Sequence, residues 1–224
     1  MKKILIFSLV AIIAIVSLAT GSLFCGKANA EPVEKTFISK TFPVEDFVGL
    51  EVSVPAEVRY ETGEAYCHIE GQENIIKDLN VEVNNGRLEI YSDRKLKNIK
   101  KLDIVLKSSS LEYLNINGAG GFECERGFET SSFKAVCNGA ADIEINNLTA
   151  EDVNIKINGA GDIEIDNLDT QKADVQINGA GDVSLSGRAK DVTATINGAG
   201  EIDVKELKYE NISASTNGIG RIER

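Results

Sequence analysis

The fold is decided by the stretch Asn158–Ile177, which reads NGAGDIEIDNLDTQKADVQI. It opens with a glycine-rich tetrapeptide and continues with two segments of alternating polar and apolar residues, Asp162–Ile165 and Ala173–Ile177. A period of two is typical of β-strands with one buried face. Asn-Gly readily supplies the positive φ that a turn needs. The unit therefore predicts two short strands and two turns, with no helical periodicity.

This unit is one of six related copies in the second half of the chain. The copies begin with Asn-Gly-Ala-Gly or a close variant, and successive copies start 19 to 21 residues apart. A repeat of this period predicts a solenoid. We interpret each copy as one coil of a right-handed parallel β-helix that pairs with its neighbour at about 4.8 Å. The first asparagines of the copies would then stack as a structural ladder of amides. They are Asn117, Asn138, Asn158, Asn178, Asn197 and Asn217.

Equivalent positions in successive copies of the repeat, which would stack as columns in the solenoid, support a buried core. Inward positions of the first strand are apolar in every copy, and the residue before each asparagine is apolar except for Thr216. Cys124 and Cys137 fall at such positions, and buried cysteine is common. With Cys67 they make three cysteines after residue 30, so at least one is free or pairs between chains. The sequence does not predict their redox state.

The first half of the chain is also rich in β-strand patterns, but it lacks the regular repeat. Asn84–Gly86 predicts a hairpin turn, and Gln72–Asp78 predicts a short helical turn. No Pro/Gly/Ser-rich linker separates the halves. We therefore predict an all-β fold with one β-solenoid domain over 41–224. Its irregular N-terminal coils would cap the regular repeats that begin at Asn117, and residues 31–40 would form a loose lead-in.

The N-terminal residues have the pattern of an export signal. Two lysines precede an almost wholly apolar run, Ile4–Phe24, and an A-x-A site ends at Ala30. This pattern predicts a signal peptide over 1–30, cleaved after Ala30, and export to the periplasm, outer envelope or exterior. The run is also long enough to remain as a membrane anchor. A lipid on Cys25 is a further alternative, which the bulky neighbouring Phe24 disfavours.

The net charge of the chain limits the classes of partner that are expected. The 224 residues carry 24 Lys+Arg against 35 Asp+Glu, a formal net charge of −11. The first 30 residues hold three lysines and no acid, so their removal leaves −14. Nucleic acids and anionic lipids need basic surface, so neither is expected as a partner. Contact with a membrane is expected only through an uncleaved signal or a lipid anchor.

The sequence contains few side chains in patterns typical of catalytic or cofactor-binding sites. The one histidine, His68, follows Cys67 on a predicted strand, where adjacent side chains point to opposite faces. A thiolate–imidazole pair is therefore not expected there. No catalytic residue is assigned, and no cofactor is expected apart from a calcium alternative at an acidic stripe.

The acidic stripe lies on the outward positions of the first predicted strand. Like charges facing each other across strands are destabilising, so the stripe is either a well-solvated face or a site for divalent cations such as calcium. Screening of exposed charges by salt favours the solvated face. Its candidate metal-ligating residues are Asp142, Glu144, Asp162, Glu164, Asp166 and Asp182.

The order of features resembles a known bacterial family. Phe47–Val58, Ile69–Gly71 and Val81–Ile90, followed by Gly-x-Gly turns, are similar to the putative autotransporter adhesins with a head GIN domain. The resemblance covers roughly 42–220. It implies a β-helix related in architecture to pectin lyases, in an exported bacterial protein without established catalytic residues. Many members have Ser-Gly-Ser-Gly turns where this chain has Asn-Gly-Ala-Gly.

Three hypotheses for function follow. The first is an exported, noncatalytic β-solenoid that acts as a cell-surface adhesion or interaction module, with a surface glycan or protein as its partner. The second is a carbohydrate-active, lyase-like enzyme on the same scaffold, although fold alone does not imply that activity. The third is a structural envelope protein that self-associates through an open solenoid end or an edge strand.

Overall fold

The computed structural model describes residues 36–224. The predicted signal peptide, the cleavage site after Ala30, the candidate lipidation site Cys25 and residues 31–35 lie outside the described residues. Of residues 36–224, 70% lie in strands and 2% in helix, and they fold as a β-solenoid of about six turns, which confirms the predicted all-β solenoid. Among residues 36–224, no helix is both long enough and apolar enough to span a membrane.

The described residues form fifteen strands and one four-residue helix. The first half contains β1 (Phe37–Phe42), β2 (Gly49–Val52), β3 (Ala56–Thr62), β4 (Tyr66–Gln72), α1 (Glu73–Ile76), β5 (Asn80–Asn84), β6 (Arg87–Tyr91) and β7 (Leu102–Ser108). The second half contains β8 (Tyr113–Cys124), β9 (Phe128–Glu129), β10 (Ser132–Ile157), β11 (Ile163–Gly179), β12 (Asp182–Gly198), β13 (Glu201–Asp203), β14 (Leu207–Gly218) and β15 (Arg221–Glu223).

The second half stacks as parallel coils. β8, β10, β11 and β12 pair in sequence, and β12 continues to β13 and β14. Between β10 and β11 the parallel register runs through three segments of the coil, 143–146, 148–150 and 152–157. The prediction of two strands per coil was therefore wrong. The middle segment is only three residues long, too short for alternation to reveal it in the sequence.

The core lies inside the coils. The inward residues of the first segment, such as Ile163 and Ile165, are fully buried. Full burial of such a side chain contributes about 1.5–3 kcal/mol. At the N-terminal side of the stack, Tyr60 packs on Phe122 with ring centroids 6.0 Å apart. Phe128 meets Phe133 edge-on at 5.2 Å, so aromatic rings fill this end of the core.

The first half is not simply a set of irregular coils. β2 and β3 pair with β8 and extend the parallel stack. In contrast, β4 pairs antiparallel with both β1 and β7, and β5 and β6 form an antiparallel hairpin. The hairpin turn is at the predicted place, with positive φ at Asn85 and Gly86. Residues 37–40, expected in a loose lead-in, belong instead to β1 and pair with β4.

The last coil differs from the coils before it. Within the described residues, β14 pairs only with β12, so one edge of β14 carries no strand. Ala194 on β12 is 0% exposed, whereas its register partner Ala214 on β14 is exposed. Thr216, the polar exception in the apolar column, is exposed as well. A polar residue there fits an uncovered position.

Candidate functional site

An amide ladder runs along one corner of the solenoid. Five of its asparagines donate from Nδ2 to Oδ1 of the asparagine one coil earlier, at 2.8–3.0 Å. At the start of the ladder, Asn117 donates to Glu51 at 3.1 Å and to Ser53 at 3.0 Å. The structure thus brings together Asn117, Asn138, Asn158, Asn178, Asn197 and Asn217.

Glycine has two separate roles at this corner. Gly179 has a φ of 153° and Gly198 a φ of 149°, a region that other residues rarely adopt. A Cβ on Gly179 would also lie 2.0 Å from the carbonyl oxygen of Gly159. Asparagines with positive φ occupy the next corner instead, at Asn147 and Asn167. The sequence predicted a second turn in each unit but did not identify these asparagines as the residues that form it.

The predicted acidic stripe lies on the outer face of the first segment. Glu144 faces Glu164 directly in the parallel register. The stripe also affects a neighbouring strand. Burial, and then the nearby charges of Asp103, Asp142 and Glu123, raise the pKa of Glu57 above its ordinary value. The charges of the stripe therefore act on Glu57, a carboxyl of the adjacent strand β3.

Three carboxylates of the stripe hydrogen-bond to the next coil. Oδ1 of Asp162 accepts the backbone N–H of Asp182 at 3.1 Å, and Oδ1 of Asp182 accepts the N–H of Glu201 at 2.9 Å. Oδ1 of Asp166 accepts the hydroxyl of Ser186 at 2.9 Å. These bonds link successive coils, so the three carboxylates have a structural role.

The C-terminal end of the same acidic face has the spacing of a metal site. Among residues 36–224, one group of three acids offers ligand atoms within 4.8 Å of one another: Glu201, Asp203 and Glu223. Arg221 binds Glu201 and Glu223 at 2.9 Å each. Lys205 contacts Asp203 at 3.2 Å and also Glu223. Two cations therefore already neutralise most of this cluster, which includes none of the six predicted metal ligands.

Two shallow depressions mark the outer faces. The larger, about 530 Å³, is formed where three successive coils meet and includes Arg188, Lys208 and Tyr209. Arg188 holds Asp169 through two hydrogen bonds, of 2.8 and 2.6 Å, which lower the pKa of that carboxyl. The smaller, about 290 Å³, lies on the face that includes Lys134. The sequence analysis missed both, because their residues are adjacent only through the coil register.

The nucleophile candidates are not activated. The ring of His68 hydrogen-bonds through Nδ1 to the hydroxyl of Thr41 at 2.9 Å. Cys67, Cys124 and Cys137 are free and buried, and burial raises the pKa of each thiol, that of Cys67 to about 12. At neutral pH these thiols stay protonated, and only the thiolate is strongly nucleophilic.

Solved structures share this architecture. A putative adhesin from Bacteroides fragilis is 23% identical, with a TM-score of 0.72, and the match covers 85% of this chain and 97% of that one. A protein described as a putative lipid binding protein from Parabacteroides distasonis is 21% identical, with a TM-score of 0.55 and the same coverage. A putative adhesin from Parabacteroides merdae is 18% identical, with a TM-score of 0.56, covering 85% of this chain and 96% of that one. At these identities, the likeness concerns the fold alone.

The sequence comparisons place the chain in a family. No curated protein matches it. The family model described as "Putative auto-transporter adhesin, head GIN domain" matches residues 46–223, which is most of the chain and nearly all of the described solenoid. This match confirms the resemblance seen in the order of strand and turn motifs. The chain belongs to the putative auto-transporter adhesin, head GIN domain family.

Proposed function

We propose that the protein is an exported, noncatalytic adhesion module whose solenoid faces bind a surface glycan or protein. The observation that carries the proposal is the continuous outer face of a solenoid in a family of adhesin-like proteins. Short corners join the segments of each coil, so the described face is crossed by no long loop that would wall in a substrate. Extended faces of stacked repeats are typical binding surfaces.

The larger depression is the part of this face best suited to a polar partner. Lys190 and Lys208 lie in it beside Tyr209, with acidic and amide side chains around them. Such a mixture offers hydrogen-bond donors and acceptors next to an aromatic ring. These are the groups that orient a sugar or a polar protein side chain.

Binding of the exported chain to arrays of glycans and matrix proteins tests the proposal. We expect saturable binding to at least one member of the array. The double variant Lys190→Ala/Lys208→Ala should weaken it about tenfold or more, because two hydrogen bonds to charged groups are lost. The matched control Lys134→Ala/Lys156→Ala changes the net charge equally on another face and should retain binding. The proposal would be contradicted if no glycan and no matrix protein on the arrays showed saturable binding.

Self-association is a second candidate, which the exposed edge of β14 favours. A strand edge with unpaired N–H and C=O groups readily accepts a strand from another chain. In this proposal, a second copy of the solenoid pairs with β14 and covers Ala214. Light scattering over a range of concentrations tests it. We expect a mass that rises with concentration, and a constant monomer mass would contradict pairing.

A further inference from the structure

The acidic chain contains one strongly basic segment. Residues 94–101 read RKLKNIKK and hold five of its 24 basic residues within eight positions. The segment belongs to the connection between β6 and β7, which has no regular secondary structure. Compact runs of Lys and Arg are the usual footprint of contact with a polyanion. Neither the repeat nor the adhesive face accounts for this segment.

The segment displays its charges outward. Leu96 and Ile99 are half-buried and pack against the core, whereas all five basic residues are exposed. Lys95, Lys97 and Lys100 make no ion pair with any acid among residues 36–224. The two flanking bases are paired: Arg94 lies 3.4 Å from Asp78, and Lys101 lies 2.6 Å from Asp103. Three adjacent lysines are therefore available to an external anion.

An exposed aromatic residue lies near Lys100, at one end of the segment. The backbone N–H of Lys100 donates to Oε1 of the buried Gln72 at 2.6 Å, which fixes the segment to the end of β4. Gln72 pairs in register with Phe37, whose surface is 45% exposed. The carbonyl of Thr36, the first described residue, accepts the N–H of Glu73 at 2.9 Å. The basic segment therefore lies beside the point where the chain enters the domain.

We propose that residues 94–101, together with Phe37, bind the surface of a membrane that contains anionic phospholipids. Lysine ammonium groups attract the headgroups, and an exposed aromatic ring favours the interface between headgroup and acyl chain. A nucleic acid or an acidic polysaccharide would use the same charges but would gain less from Phe37. The proposal revises the expectation, based on net charge, that anionic lipid is not a partner. It does not depend on the adhesive function.

The net charge, −11 for the full chain and −14 without residues 1–30, does not prevent this contact. Exposed charges separated by more than a Debye length, about 8 Å at physiological salt, are largely screened from one another. Acids near the segment already have partners: Asp78 pairs with Arg94, and Asp103 pairs with Lys101. Asp93, which directly precedes the segment, accepts a hydrogen bond from Asn80 at 2.9 Å. A membrane surface would thus meet a locally positive patch.

Vesicle flotation of the protein that remains after the predicted cleavage at Ala30, residues 31–224, tests the proposal. The probes are phosphatidylcholine vesicles with and without phosphatidylglycerol, at low and at high salt. We expect tighter binding to the anionic vesicles, and this preference should disappear at high salt. The triple variant Lys95→Gln/Lys97→Gln/Lys100→Gln should bind anionic vesicles about a hundredfold more weakly. Phe37→Ser should weaken binding at both salt concentrations.

The matched control is Lys134→Gln/Lys156→Gln/Lys172→Gln, which removes the same charge from the solenoid faces. It should bind anionic vesicles like the unmodified chain, and circular dichroism should show that both triple variants are folded. Equal weakening by the two triple variants would overturn the proposal, since net charge alone would then govern binding. Equal affinity of the unmodified chain for both vesicle types would also overturn it. So would a preference for soluble heparin or DNA that displaces the chain from anionic vesicles.

Discussion

Each asparagine inside the ladder links its coil to both neighbours. Asn158 donates to Asn138 at 2.8 Å and accepts from Asn178 at 2.9 Å. A net hydrogen bond contributes about 0.5–1.5 kcal/mol. We therefore expect Asn158→Ala to lower the free energy of unfolding by about 1–2 kcal/mol, as measured by urea denaturation.

The end of the ladder provides the control. Asn217 donates one ladder bond, to Asn197 at 3.0 Å. Asn217→Ala should therefore cost about half as much as Asn158→Ala, or about 0.5–1 kcal/mol. Equal losses for the two variants would show that the amide bonds between coils do not set the cost.

The buried thiol of Cys67 should make stability depend on alkaline pH. Burial raises its pKa from the ordinary value of 9.0 to about 12. The unfolded chain thus loses this proton at a lower pH than the folded chain does. The contribution of the neutral thiol is complete below about pH 9 and declines as the pH rises toward 12.

Urea denaturation of the unmodified chain and of Cys67→Ala, from neutral pH into the alkaline range, measures this effect. Cys67→Ala should be the less stable at neutral pH, because it leaves a cavity in the core. The difference between the two proteins should shrink above about pH 9, where only the unmodified chain loses the thiol contribution. A difference that is independent of pH would contradict a protonated buried thiol.

At the scale of elements, β12 and β14 have the same register but different environments. Ala194 is fully buried, and its partner Ala214 is exposed. A buried hydroxyl without a partner costs about 1–3 kcal/mol, whereas exposed substitutions usually stay within about 0.5 kcal/mol. We expect Ala194→Ser to destabilise the protein by the larger amount and Ala214→Ser to have little effect. Urea denaturation at low protein concentration measures both.

A similar cost for the two serine variants would contradict an uncovered β14. If Ala214→Ser lowered the free energy of unfolding only at high protein concentration, a second copy of the protein would be covering β14. The comparison thus also tests the self-association candidate.

The regular coils could be predicted from sequence because identical positions recur in every repeat. Alternation around Ile163 and Ile165 revealed the buried face, and the spacing of Asn158 and its counterparts revealed the ladder. The antiparallel pairing of β1, β4 and β7 could not be predicted, since alternation is the same in parallel and antiparallel strands. The depression around Arg188 was hidden for another reason: its residues lie about 20 positions apart and meet only in register.

For the whole molecule, net charge proved a poor guide to local surface. The acids are spread over the solenoid face, whereas five bases gather in 94–101. The net charge adds these two regions together. Salt screens exposed charges that lie more than about 8 Å apart, so a partner responds mainly to the charges of the region that it contacts. The interactions of this protein should therefore be assigned face by face.

The acidic stripe gives the last prediction, for the response of the whole protein to calcium. Asp162 and Asp182 already accept backbone N–H groups, and Arg221 and Lys205 occupy the cluster of Glu201, Asp203 and Glu223. An added cation would have to displace Arg221 and Lys205 from the cluster and compete with the backbone groups for the charge of Asp162 and Asp182. We therefore expect the thermal unfolding midpoint in millimolar calcium to equal that in sodium chloride of the same ionic strength with EDTA.

A rise specific to calcium would contradict this prediction, because a ligand at a hundred times its dissociation constant adds about 2.7 kcal/mol. Asp203→Asn would then locate the ion, since loss of the rise would place it in the C-terminal cluster. The matched control Asp174→Asn, on another face of the solenoid, would retain the rise. If neither variant removed the rise, the ion would bind elsewhere on the acidic face, for example where Glu144 lies opposite Glu164 in the register.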